Sequence, residues 1–273
     1  MRSFALLSAL AAVEFAAAPA DTRGPYRDES GRTWAQLPSP RDFPSYAAWD
    51  AEFAQEVFTA RDGRRFQLDR ELTPAELAEN LALRQFAGAL RAPPGSGSHL
   101  RAAVTTHNPV DEEYRALYPA AADLKAAIRA EVARAEAAML AQWGIDLVAV
   151  SGAQWDSNDN ADIVALLAEA VVEHGGAGRD MMHAWSADPT PGGAIGVGYL
   201  GLPQLLVKKY HGLEGNILEH EIGHTYTLKH CCDPDCTMQS VLDVGALGNF
   251  HHYLEACSGQ DHFQKMDNQR NRY

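Results

Sequence analysis

The chain has 273 residues, 46% of them hydrophobic and 22% charged, which suits a globular protein of one or two domains. Its formal charge is −13. With no Lys/Arg cluster to meet phosphates, the composition argues against a nucleic-acid partner.

The first twenty residues read as a secretory signal peptide. Arg2 gives a basic start, Phe4 to Val13 an apolar run, and Ala18-Pro19-Ala20 a small-residue cleavage site before Asp21. Glu14 is an unusual charge near the end of that run. Farther on, no stretch reaches the roughly 18 uninterrupted apolar residues that span a bilayer. The expected product is secreted and free of the membrane after cleavage.

Residues 21–98 form an N-terminal segment of different character. Its first part, 21–46, is rich in Pro, Arg, Asp and Ser and reads as irregular. Ala47 to Phe58 carries a short helical pattern. Thr73-Pro74-Ala75-Glu76 is a helix start, with a Thr cap, Pro in the first turn and Glu three residues after the cap. The helix is predicted to run to about Arg91. A Pro/Gly/Ser stretch at 92–98 reads as a linker, with a domain boundary near 96.

The remainder, 99–273, alternates. Leu100, Ala102 and Val104 predict a strand, and Ala120 to Trp143 a long helix with Leu124, Ile128, Val132, Ala135 and Met139 on one face, closed by Gly144. Ile145 to Val150 is a strand. Asn160 is the expected cap of a second helix reaching about Glu173, stopped by Gly175-Gly176. Met181 to Ser186 and Ile195 to Leu202 are further strands, and a helix follows from about Asn216 to Tyr226. This order predicts an α/β (α+β) fold with a twisted mixed sheet and two long helices packed on it.

That last helix carries HEIGHTYTLKH at 220–230. His220 and His224 are four residues apart, so a helix projects both imidazoles from one face. The spacing suits two nitrogen ligands of one zinc ion, with Glu221 beside it as general base for zinc-activated water. A continuing helix would carry His230 about 240° around the axis from His224. If His230 is the third ligand, the helix must stop and the chain must turn back. Asp233, Asp235 and Glu255 are its rivals.

All four cysteines, Cys231, Cys232, Cys236 and Cys257, follow this motif. Export and the even number favour two disulfides, with adjacent Cys231 and Cys232 not paired to each other. His251, His252 and His262 read as solvated or supporting residues, and His107, His174, His183 and His211 as surface or core histidines. Gly196-Val197-Gly198-Tyr199-Leu200-Gly201 has dinucleotide-fingerprint spacing, but Pro203 follows closely and no long helix opens there, so a nucleotide site is not expected.

HEIGHTYTLKH resembles the metzincin signature H-E-x-x-H-x-x-G-x-x-H. Cys231, Cys236 and Met238 continue it in a pattern similar to the archaemetzincin H-C-x(4)-C-x-M. Asp111 to Arg115, Ile145 to Val148 and Trp155-Asp156-Ser157 fall in an order that resembles reprolysin-like catalytic domains. The resemblance spans about residues 100 to 260. It implies a metzincin-like zinc endopeptidase acting on peptides or proteins, with His230 as third ligand. It also implies Met238 as a Met-turn residue under the metal, and a small Cys-containing C-terminal subdomain beyond it. Gly198 and Tyr199 fall on the implied substrate-binding edge strand. Archaemetzincins hold a second, structural zinc on four cysteines; here Gln260 stands where the last is expected and Cys232 is extra, so disulfides are favoured over a second zinc. Ser240 replaces the Tyr that ligates zinc in some relatives. Thr227 stands where the family has a glycine with positive φ.

Metzincins are commonly latent through an N-terminal segment. Residues 21–98 contain no Cys, so as a propeptide they would have to block the metal with an Asp or Glu, or by steric cover. Two alternatives stay open: a non-catalytic zinc-containing binding protein on the same fold, and a gluzincin-like peptidase using Glu255. Oligomeric state is not written in the sequence.

Overall fold

The computed structural model describes residues 24–86, 101–175 and 177–273. The signal-peptide and linker readings, and Gly176 of the expected helix stop, lie outside the described residues. The N-terminal segment opens with a small antiparallel sheet of four strands: β1 (Tyr26–Asp28), β2 (Thr33–Trp34), β3 (Phe58–Thr59) and β4 (Arg65–Phe66), in order β2-β1-β3-β4. Helix α1 (Tyr46–Phe53) lies between β2 and β3, capped by the Ser45 hydroxyl. The irregular reading of 21–46 missed this sheet because its strands are only two or three residues long.

Strand β5 (Asp69–Arg70) then leaves the small sheet and joins the large one, ahead of α2 (Pro74–Phe86). The Thr73 start of α2 forms as read. Thr73 Oγ1 accepts from the Glu76 N–H, and Glu76 accepts from the Thr73 N–H in return.

The rest of the chain supplies β6 (Ala102–His107), β7 (Val110–Asp111), α3 (Glu112–Ala116), α4 (Ala121–Trp143), β8 (Ile145–Ser151), β9 (Gln154–Trp155), α5 (Ile163–His174), β10 (Met181–Ser186), β11 (Ala194–Gly198), β12 (Gln204–Lys208), α6 (Glu214–Thr225) and α7 (His262–Gln269). The large sheet runs β5-β11-β12-β10-β6-β8. Pairs from β12 to β8 are parallel, while β11 is antiparallel to both β12 and β5, so the sheet is mixed. Gly144 ends α4 at φ 71°, a left-handed cap that costs glycine nothing. The cap of α5 is Asp162 rather than Asn160, accepting from Val164 and Ala165. Strand β12, unread in the sequence, occupies the short interval between β11 and the motif helix.

The core has two halves, one on each face of the sheet. Helices α4 and α6 and the C-terminal region bury Ile128, Met139, Trp143, Leu205, Ile217 and Ile222 on one side. Helix α5 and the small N-terminal sheet bury Phe53, Phe58, Phe66, Leu166 and Leu206 on the other. The N-terminal segment therefore shares the core of the following residues.

Candidate metal centre

Helix α6 is buried along its whole length. It lies directly against β11, and the two glycines of that strand permit this. A Cβ at Gly196 would collide with Glu221 Oε1 and Ile217, and one at Gly198 with the Glu221 carbonyl. The fingerprint-like spacing at 196–201 thus records close backbone approach, with Glu221 filling the space a side chain would take.

His220 and His224 project from one face of α6, as the four-residue spacing requires. The helix stops at Thr225, and Thr227 turns the chain at φ 70°. This is the left-handed conformation that the family assigns to glycine, held here by a β-branched residue at a cost of about 1–3 kcal/mol. Several bonds hold the turn. Thr227 N–H donates to the His224 carbonyl at 2.8 Å. Gln269 Nε2, on α7, donates to Thr227 Oγ1 at 2.9 Å and to the Tyr226 carbonyl at 2.8 Å. Gln260 Nε2 donates to the Thr227 carbonyl.

The turn brings His230 back to the other two. The three Nε2 atoms form a triangle with sides of 3.2, 3.2 and 3.3 Å. Each Nδ1 faces a backbone carbonyl: His220 to Thr237 at 2.8 Å, His224 to Leu228 at 2.8 Å and His230 to Ala54 at 2.6 Å. Protons sit on Nδ1, so the Nε2 lone pairs converge on one another with no proton between them. A cation resolves that arrangement. Tetrahedral zinc with Zn–N of about 2.0–2.1 Å sets its nitrogens about 3.3 Å apart. The residues present therefore fit zinc.

The sequence reading missed one member. Asp69, on β5, places Oδ1 2.9 Å from His230 Nε2 and 3.0 Å from His220 Nε2. It is buried. Neither of its oxygens has a hydrogen-bond donor, so this buried carboxylate faces the same place as the Nε2 lone pairs, where a cation would sit. Glu221 is fully buried beside it; burial first, and then the Asp69 carboxylate, push the Glu221 carboxyl well above its ordinary value. A single acidic residue in a two-residue strand carries no spacing signal, so only the fold reveals Asp69.

Met238 lies under α6, where a Cβ on Gly223, the residue before His224, would collide with its sulfur. Glu255 is not in this group: its oxygens accept from the N–H groups of Cys257 and Ser258. Asp233 accepts from Tyr253 and Asp235 is exposed. Gly198 pairs with β12, and Tyr199 bridges to Phe66 of the N-terminal segment. Cys232 and Cys257 form a disulfide, while Cys231 and Cys236 are free and buried. His251 and His262, expected to be solvated or supporting, are both buried near those thiols.

No curated protein matches the chain. Among solved structures, a chain from one described as "Structure of a chaperone-substrate complex" is similar at 12% identity and TM-score 0.48, over 63% of this chain and 35% of that one. The pattern of Reprolysin_5, metallo-peptidase family M12, matches residues 102–273, more than half of the chain and the whole of the histidine centre. The chain belongs to metallo-peptidase family M12, with a reprolysin-like metzincin catalytic domain over residues 102–273 and the zinc dependence that family implies.

Proposed function

We propose that this protein is a secreted zinc endopeptidase produced in a latent form, with residues 21–98 as its inhibitory segment. His220, His224 and His230 hold the zinc, Glu221 is the general base, and Met238 underlies the metal as the Met-turn residue. One observation carries the reading: Asp69 sets a carboxylate oxygen within 3.0 Å of two of the three converging imidazoles, from a strand added to the sheet edge.

Zinc held by the three imidazoles supplies a Lewis acid and acidifies water. Glu221 accepts a proton at its carboxylate and returns it to the departing amine. The bare α-carbons of Gly196 and Gly198 leave room for its side chain against β11. Strand β11 offers its edge to an extended peptide. In the latent chain, β5 takes that edge, and the backbone bridge from Phe66 to Tyr199 extends the cover. A base so placed argues for catalysis over a purely zinc-binding role. Export is supported by the signal-like first twenty residues and by the surface disulfide Cys232–Cys257.

The test is hydrolysis of a quenched fluorescent peptide library by full-length protein in zinc. Wild type should be slow. Asp69→Ala should be at least about tenfold faster, and Asp69→Ala with Glu221→Gln should keep zinc and lose turnover. Equal rates for wild type and Asp69→Ala would refute latency through Asp69. Undiminished turnover with Glu221→Gln would refute the mechanism.

A further inference from the structure

We propose that Cys231, Cys236, His251 and His262 form a second, structural zinc site beside the histidine centre. One donor atom from each of the four lies within 4.8 Å of the others, and all four residues are buried. The set is two sulfurs and two imidazoles, the donor combination that selects tetrahedral zinc.

The details of each residue agree. Cys236 Sγ is 3.4 Å from His262 Nδ1, and the backbone N–H of Met238 donates to the same sulfur at 3.5 Å. His251 directs Nδ1 at the Tyr253 carbonyl, 3.1 Å away. Its proton therefore sits on Nδ1, which leaves Nε2 with a lone pair; that atom is buried and has no hydrogen-bond partner. Cys231 and Cys236 stay as thiols although Cys232 and Cys257, in the same segment, are oxidised to a surface disulfide. Adjacent Cys231 and Cys232 point opposite ways, one into the protein and one out. This is not a four-cysteine site. Two of the cysteines are spent elsewhere, and two histidines take their places.

Binding balances without redox chemistry. The two thiols release two protons to solvent, and the two thiolates with two neutral imidazoles leave a site of zero net charge around Zn2+. The segment needs such a staple. Between Cys231 and His262 the only helical or strand element is a three-residue 3-10 turn at Val244–Ala246. A region with so few backbone ladders gains its order from crosslinks.

The site also reaches the histidine centre through the chain itself. Cys231 follows His230 directly. Thr237, whose carbonyl orients His220, stands between Cys236 and Met238. The second zinc would fix the loop that supports two of the three imidazoles.

The experiment loads full-length protein with Co2+ in place of zinc and records its near-ultraviolet spectrum, alongside zinc counting by mass spectrometry. Only a thiolate ligand gives a sulfur-to-cobalt charge-transfer band, so the all-histidine centre is silent in it. Wild type should show the band and hold two zinc ions. His224→Ala should keep the band and lose one zinc. Cys236→Ser should lose the band, while His262→Cys, which preserves a ligand, should keep it and the second zinc. If Cys236→Ser does not fold, the wild-type, His224→Ala and His262→Cys spectra still decide. A Cys231–Cys236 disulfide in peptide mapping, or free thiols with no band in wild type, would overturn the proposal. Failure of the histidine centre to bind metal would leave the sulfur band in place, so the two zinc assignments fail separately.

Discussion

The side-chain oxygen of Gln67 accepts the backbone N–H of His230 at 2.8 Å. The N-terminal segment thus positions the third imidazole's backbone, as the Ala54 carbonyl positions its ring. The same segment that places Asp69 over the centre also supports one of its three imidazoles. Gln67→Leu leaves the buried His230 N–H without a partner, at a cost of about 1–3 kcal/mol. Thermal unfolding should show a lower Tm than wild type, with the deficit larger when zinc is present than in chelator. An unchanged Tm in zinc would contradict the supporting role.

Gly196→Ala places a methyl group against Glu221 Oε1 and Ile217. Either the carboxylate or the strand must move, and overpacking of this kind costs about 1–3 kcal/mol. A displaced base predicts a loss of turnover of roughly 10–100-fold in the Asp69→Ala background, with zinc content unchanged. Peptide hydrolysis and metal analysis on the same sample check both halves.

Thr227 combines backbone strain with a useful hydroxyl. Thr227→Val keeps the branched side chain at φ 70° but loses the bond from Gln269. It should destabilise by about 1 kcal/mol. Thr227→Gly also loses that bond but removes the strain, so its stability should lie within about 1 kcal/mol of wild type. Urea unfolding of the two variants separates these outcomes; a glycine variant less stable than the valine one would show that the turn is not strained.

Asp69 and Arg70 alternate along β5, so one faces the histidines and the other faces away. Arg70 pairs with Asp50 at 3.0 Å and bidentately with Glu76 at 2.7 and 2.8 Å. The hydrogen bonds from Arg70, against an opposing effect of burial, lower Glu76 to about 2. A lowered carboxyl stabilises the fold above its unfolded value of 4.5, and this contribution is lost as the pH falls from there toward 2. Acid should therefore loosen the anchor of β5. Glu76→Gln should show a flatter fall in urea stability than wild type over that interval, and parallel curves would refute the assignment.

The motif was legible because its chemistry is local: His220, Glu221 and His224 need only one helical turn. Gly144, the Thr73 cap and the long helix α4 were legible for the same reason. His230 needed a turn at Thr227 that its side chain disfavours, and only bonds from Gln260 and Gln269, far along the chain, show how that turn is held. Asp69 left no trace because strand pairing across more than 100 residues has no spacing signature. The cysteines and histidines of the C-terminal region were each visible, but their grouping depends on irregular loops. Sequence reading put the thiols into disulfides and set the histidines aside.

Strand β5 also protects. While it is paired, β11 presents no free row of N–H and C=O groups to neighbouring molecules. Its departure would open that sheet edge. Under the proposed latency, activation would then bring a colloidal hazard along with a gain in reactivity, since an unpaired edge recruits other strands as readily as it recruits substrate. Shelf life and catalytic competence should thus move in opposite directions when the segment leaves.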